Sequence, residues 1–134
     1  MSSDPDHIFG ASLPFVTACG IEAVSLADGR SRLRVHVAPR HGNALGNAHG
    51  GLIATLLDVA MGTISRHTAG SAIVTLDMQV SFVAAGTGTL LAEGRVLRAT
   101  RSIVFAEAEV RDEAGALVAK ASGTFKTVRA REGG

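Results

Sequence analysis

The sequence predicts an α+β fold in which an antiparallel sheet of about five or six strands curls around one long central helix. Three observations carry that expectation. Residues 49–67 form the single long helical pattern, with apolar and small residues around its whole circumference, so the helix is buried on most sides. Two strand patterns precede it and four follow, with turn residues between them. At 134 residues, with 46% hydrophobic and 19% charged content, the chain is sized for one domain over 1–134 and is apolar enough to fill one core.

The elements follow in order. Up to about Gly20 the sequence is mixed, Pro5 and Pro14 punctuating one short helical stretch, and residues 1–12 are expected to be loosely ordered. Residues 21–27 and 31–38 read as two strands joined at Asp28-Gly29, a hairpin signal. In the second, Leu33, Val35 and Val37 alternate with Arg32, Arg34 and His36, which predicts one buried and one wet face. Residues 39–47 are loop, rich in Gly and Asn, and the helix then runs from His49 to about His67. After the break at Gly70-Ser71, residues 72–83 alternate over an unusual length. Val74, Leu76, Met78, Val80 and Phe82 are expected on one face, and Thr75, Asp77, Gln79 and Ser81 on the other. Residues 89–97, 102–111 and 116–128 supply three more strands, and the charged, Gly-ended stretch 129–134 is expected to fray.

Bulk properties exclude several classes of function. Thirteen Lys and Arg against twelve Asp and Glu leave a net charge of +1, too weak a field to argue for nucleic acid or an anionic membrane surface. There is no Trp or Tyr for base stacking. No segment reaches the roughly 18 uninterrupted apolar residues of a membrane span. A single cysteine, Cys19, forbids an internal disulfide or a CxxC motif, and with no signal-peptide pattern at the start the expected setting is the cytoplasm. Phosphate-loop, dinucleotide and GxSxG motifs are absent.

The residues suited to chemistry cluster around the helix. Asp58 is flanked by LIATLL and VAMGTIS, with no Lys or Arg at i±3 or i±4 to neutralise it. A carboxylate in that setting either faces solvent or the end of a groove, or is kept for function, and the lack of a polar helix face favours the second. His49-Gly50-Gly51 opens the helix, where free N–H groups favour negative charge and glycines permit close approach, although a simple loop-to-helix turn also uses Gly pairs. Asn43 and Gly46 lie just before it, and Asn43 suits either a hydrogen bond to a ligand or turn chemistry. His41 and His49 lack the further ligands of a zinc site, so no metal and no cofactor are expected.

Asn43, Gly46, His49-Gly50-Gly51 and Asp58, followed by a long strand containing Thr75-Leu76-Asp77-Met78, resemble the hotdog-fold thioesterases of the phenylacetate-degradation (PaaI) type. The similarity covers roughly residues 13–128 and includes Gly115-Ala116-Leu117-Val118-Ala119 near the end. The sequence departs from related chains at Arg98 to Ser102, where Ala99-Thr100 stands in a turn that often carries Gly. The resemblance implies hydrolysis of an acyl-CoA thioester, with an aryl-acetyl or medium-chain acyl group. Asp58 would activate water or attack the carbonyl itself, the Gly50 N–H would hold the carbonyl oxygen, and Asn43 would orient the water or thioester. His49 would shape the start of the helix, Gly51 would line the substrate, and Thr75 would assist the water beside Asp58. Among Arg95, Arg98 and Arg101, the last two are the candidates for CoA phosphates, set against a merely solvated turn. Similar proteins pair as dimers of dimers, which makes a homotetramer the implied assembly.

Spacing adds a consequence of its own. Gly50 and Asp58 are eight residues apart on one helix, about 12 Å at 1.5 Å per residue, too far for both to reach one carbonyl. Two antiparallel helices in a two-fold dimer would bring Gly50 of one chain toward Asp58 of the other, so this mechanism requires a homodimer. Two other readings stand beside it: a non-catalytic acyl-CoA binding module, and a hotdog dehydratase or hydratase pairing an acid with a His, for which His67 is the available residue.

Overall fold

The computed structural model describes residues 4–128. The expected fraying of 129–134, and residues 1–3 of the expected loose start, lie outside the described residues. The chain begins with a small hairpin, β1 (His7–Ile8) and β2 (Ala11–Ser12), then α1 (Pro14–Ala18), β3 (Glu22–Ala27) and β4 (Arg30–His36). A 3-10 turn at Pro39–His41 leads to the central helix α2 (Gly50–Ala69). Four strands complete the chain: β5 (Ala72–Phe82), β6 (Thr89–Ala99), β7 (Ile103–Arg111) and β8 (Leu117–Val128). Six of the strands form one antiparallel sheet in the order β3-β4-β6-β7-β8-β5, the α+β hotdog architecture that the sequence predicts.

Local chemistry sets these elements. Asp28 and Gly29 both have positive φ, 57° and 71°, as a two-residue hairpin turn of matching twist requires. In β4, Leu33 and Val35 are fully buried while Arg34 and His36 are exposed, so the alternation reads out as expected. Helix α2 ends at Gly70, whose left-handed φ of 67° lets its N–H reach the Arg66 carbonyl at 2.9 Å. Leu52, Ile53, Leu56, Leu57, Val59, Met61 and Ile64 sink into the concave face of the sheet, against Leu33, Leu90, Val104, Val110, Val118 and Phe125. Each such side chain contributes about 1.5–3 kcal/mol by leaving water.

Where helix and sheet come closest, the contact is backbone to backbone. A Cβ on Gly94 of β6 would stand 2.5 Å from the Ala60 carbonyl oxygen and 2.7 Å from Ser31 Oγ. Ser31 Oγ donates to that same carbonyl at 2.6 Å. Glycine at 94 therefore lets α2 lie on the sheet, and the buried Ser31 hydroxyl fixes its height.

Two expectations are corrected. Residues 7–12 are not loosely ordered: Ile8 is buried in the core, the Leu13 N–H donates to the Asp6 carbonyl at 2.8 Å, and Arg66 Nη2 donates to the Phe9 carbonyl at 2.8 Å. The apolar side chain of Ile8 drives the hairpin onto the helix. In β5 the alternation breaks at a bulge: Thr75 pairs with Phe125 but Asp77 with Thr124, leaving Leu76 as the extra residue. Ile73 and Thr75 consequently share the helix-facing side with Met78 and Val80, whereas Val74 is turned to the outside. A single inserted residue moves every side chain before it to the opposite face.

The outer face of the sheet carries ion pairs along β4, β6 and β7, Arg30 and Arg32 with Glu93 and Arg95 with Glu107, beside the exposed side chains of Leu91, Leu97 and Phe105. Strand β5 is different. Among the described residues it pairs only with β8, and Val74, Leu76 and Phe82 on it are 46%, 54% and 57% exposed. A strand of 11 residues with one open, apolar edge is a template for another strand.

Candidate active site

The loop before α2 is held by its own side chains. Asn43 Oδ1 accepts from the Leu45 N–H at 2.9 Å and the Asn47 N–H at 3.1 Å, and the backbone of Asn43 and Asn47 closes the turn at 2.7 Å. His41 is buried, with Nδ1 accepting the Ala38 N–H at 2.9 Å. That bond fixes the ring as the Nε2–H tautomer, which donates to the Cys19 carbonyl at 2.6 Å. The His41 carbonyl in turn accepts the His49 N–H at 2.7 Å. Both nitrogens of His41 are thus committed to backbone groups.

His49 is the N-cap of α2, extended at φ −63° and ψ 140°, and its Nδ1 accepts the Gly51 N–H at 2.8 Å. Its carbonyl takes the Leu52 and Ile53 N–H groups at 3.0 and 3.3 Å. Of the N–H groups in this first turn, that of Gly50 alone has no acceptor among the described residues. Gly51, expected to line the substrate, has its N–H consumed by the cap. Gly50 is left as the donor that points away from the helix at its positive end.

Asp58 is half-exposed rather than sealed in the apolar interior, which corrects the expectation that α2 has no polar face. Ala54, Thr55 and Asp58 make a narrow, partly open stripe along the middle of the helix. The partner missing from its own helix comes from β5: Thr75 Oγ1 donates to Asp58 Oδ1 at 2.9 Å. The bulge at Leu76 makes this bond, because without it Thr75 would face outward. One oxygen of Asp58 is thereby oriented and the other is left for a further partner. The two residues open onto a cleft of about 200 Å³, lined also by Leu13, Val16, Gly62, Ile73 and Arg66.

The remaining expected site residues are dispersed. Gly50 and Asp58 stand at the first turn and the middle of one uninterrupted helix, about 12 Å apart along its axis. Within one chain the structure does not bring them together. Asn43 is exposed on the loop and shares no hydrogen bond with Asp58. Arg98 and Arg101 are exposed near the β6–β7 turn without an acidic partner among the described residues, whereas Arg95 is taken by Glu107. In that turn Thr100 substitutes for the expected glycine by hydrogen bonding: its N–H donates to the Ile103 carbonyl at 2.7 Å and its Oγ1 accepts the Ile103 N–H at 3.1 Å. His67 is exposed in the last turn of α2, while Asp58 stands at its middle.

Sequence reasoning passes over Arg66. It lines the Asp58 cleft half-buried, and burial lowers its guanidinium pKa from the ordinary value. The signal available was a lone arginine eight residues after Asp58 on a helix read as apolar all round.

Among known proteins, the family described as Thioesterase superfamily matches residues 45–119, which hold Gly46, the helix, Asp58 and Thr75. A Halobacterium salinarum protein provisionally named an esterase is 30% identical over 123 residues, 82% of each chain. A Streptococcus mutans protein solved with acetyl CoA bound is 32% identical, with a TM-score of 0.77 over 84% of this chain and 91% of that one. The Escherichia coli PaaI protein of the phenylacetic acid degradation operon has a TM-score of 0.82 over 87% of this chain and 85% of its own. At 22% identity that likeness is one of fold.

Proposed function

Because the chain belongs to the thioesterase superfamily, we propose that it hydrolyses acyl-CoA thioesters to the free acid and CoA, in a site shared between two copies of the chain. The observation that carries this reading is the pairing of Asp58 with Thr75 at 2.9 Å beside an apolar cleft, with the unpaired Gly50 N–H on the same helix. Acyl transfer needs a base or nucleophile and a donor for the developing oxyanion. Thr75 holds one Asp58 oxygen, so the other either takes a proton from the attacking water or adds to the carbonyl carbon to form an anhydride that water then opens. In both routes the charge arising on the carbonyl oxygen is met by the Gly50 N–H and the CoA sulfur leaves.

The separation of about 12 Å along α2 supports drawing the Gly50 that serves a given Asp58 from a second chain. The open, apolar edge of β5 supports such a partner, since two β5 strands pairing about a two-fold axis would bury Val74 and Leu76 and set the two α2 helices antiparallel. Dimers pairing again into a homotetramer extend the same reading. Asn43 uses Oδ1 for its own loop, which leaves its amide N–H groups to orient the water or thioester. Arg98 and Arg101 are the exposed cations for CoA phosphates, a role consistent with the Streptococcus mutans relative solved with acetyl CoA. The acyl group is of aryl-acetyl or medium-chain size, and the setting is the cytoplasm, where Cys19 stays a free thiol.

The test is release of free CoA thiol from a panel of acyl-CoAs by wild type and by Asp58→Asn. Turnover that disappears in the folded variant supports the reading; wild-type-like turnover in that variant removes Asp58 from it.

A further inference from the structure

Among the described residues, Arg66 is a charge without a counter-charge. It sits half-buried on α2 and lines the same cleft as Asp58. Among the described residues its guanidinium makes one hydrogen bond, Nη2 to the Phe9 carbonyl at 2.8 Å, and no carboxylate lies within ion-pair distance of it. A guanidinium has five donors, so most of them are unused. Taking such a group partly out of water without an anion is costly, and a structural fastening of the β1–β2 hairpin would need only a neutral donor.

Beside Arg66, Thr63 Oγ1 is also buried and unpartnered among the described residues, at a residue 2% exposed that lines the cleft. The rest of the lining is small or apolar: Leu13, Val16, Val59, Gly62 and Ile73. At Gly62 an added Cβ would meet Ile73 at 3.6 Å and Phe125 at 3.9 Å, both ordinary contacts. The cleft therefore runs from a carboxylate with a positioned oxygen, over an apolar floor, to a polar cationic end.

Resting on the thioesterase reading, we infer that this cleft takes the acyl part of the substrate and that Arg66 binds an anionic group at its far end, so that the preferred substrates are CoA half-thioesters of dicarboxylic acids. Asp58 and Arg66 are about 12 Å apart along the helix axis, and the long Arg side chain leans back toward the helix N-terminus and shortens the gap. With a staggered chain of roughly 1.5 Å bonds advancing about 1.25 Å per bond, the space left suits an acyl chain of about four to six carbons. The thioester carbonyl then lies at Asp58 and the ω-carboxylate accepts a two-pronged hydrogen bond from the guanidinium.

The experiment compares kcat/KM for glutaryl- and adipyl-CoA with valeryl- and hexanoyl-CoA, which match them in chain length and carry methyl in place of carboxylate. Wild type is expected to favour the carboxylate member of each pair at least about tenfold, equivalent to about 1.4 kcal/mol. In Arg66→Gln that ratio should collapse toward one or invert, and Arg66→Lys should restore part of it. A wild-type preference for the neutral member overturns the inference while leaving thioester hydrolysis standing, and so does an equal loss on both members in Arg66→Gln. Should Arg66→Gln fail to fold, the wild-type ratio decides alone. Absence of turnover on every acyl-CoA would instead strike the thioesterase reading. In that case calorimetric binding of adipyl-CoA against hexanoyl-CoA to wild type still decides the pocket, tighter adipyl binding supporting it and equal or weaker binding overturning it.

Discussion

Replacing Gly50 with proline removes one N–H and little else. Gly50 is the first residue of α2, a position at which proline is well accommodated, and the preceding His49 is already in the extended conformation that precedes proline. The lost N–H has no acceptor among the described residues, so no hydrogen bond of the fold is broken. The cap from His49 Nδ1 to the Gly51 N–H is untouched. The new Cβ would stand 3.4 Å from the Phe82 ring, an ordinary contact. Stability should therefore change by no more than about 1 kcal/mol, with the reduced freedom of the unfolded chain in its favour. If this N–H holds the oxyanion, kcat for CoA release should fall about 10²- to 10³-fold, the loss of about 2.7–4 kcal/mol typical of one such donor. Thiol release under saturating acyl-CoA measures kcat, and a denaturant titration measures the fold. Gly50→Ala keeps the N–H and adds only the methyl, which separates loss of the donor from loss of space. A folded Gly50→Pro protein with kcat within about threefold of wild type would refute the oxyanion role.

Three further substitutions test the scaffold around the site. Thr75→Val keeps the shape of the side chain but removes the 2.9 Å bond to Asp58, and should lower kcat about tenfold, the worth of about 1.4 kcal/mol, with little change in Tm. Gly94→Ala forces a methyl to 2.5 Å from the Ala60 carbonyl, and urea unfolding should register a loss of about 1–3 kcal/mol or more as α2 is pushed off the sheet. His41→Leu strands the Ala38 N–H and the Cys19 carbonyl, each worth about 1–3 kcal/mol when left unpaired, so the same titration should show a loss of several kcal/mol.

Much of this arrangement is legible in the sequence because it rests on periodicity. The all-round apolar pattern of residues 49–67, the alternation in β4 and the strand patterns of β6, β7 and β8 specify one helix packed on a sheet, and α2 and those strands lie within a few residues of their expected bounds. The failures share a cause: each depends on a contact between segments distant in sequence. The bulge at Leu76 leaves no mark on the strand pattern, yet it turns Thr75 toward Asp58. The β1–β2 hairpin is too short for a pattern and forms because Ile8 is buried in the core and Phe9 is bound by Arg66. Gly94 reads as an ordinary interruption of β6 until the Ala60 carbonyl is seen above it. Asp58 is singled out as a candidate but with an incomplete account, since its setting is a half-open stripe with a hydroxyl partner and not an apolar interior.

The central claim is that each site is built from two chains, and subunit mixing tests it. Gly50→Pro and Asp58→Asn homodimers should each be nearly inactive, because every site lacks one group. Dissociation and random reassociation make half of the dimers mixed. If Gly50 of one chain serves Asp58 of the other, each mixed dimer has one site with both defects and one with neither, so roughly a quarter of all sites become wild type. A mass tag on one variant confirms that exchange has occurred. Activity recovering to about a quarter of the wild-type value is the predicted result, and confirmed exchange with no recovery would contradict it, showing that each chain supplies both groups to its own site.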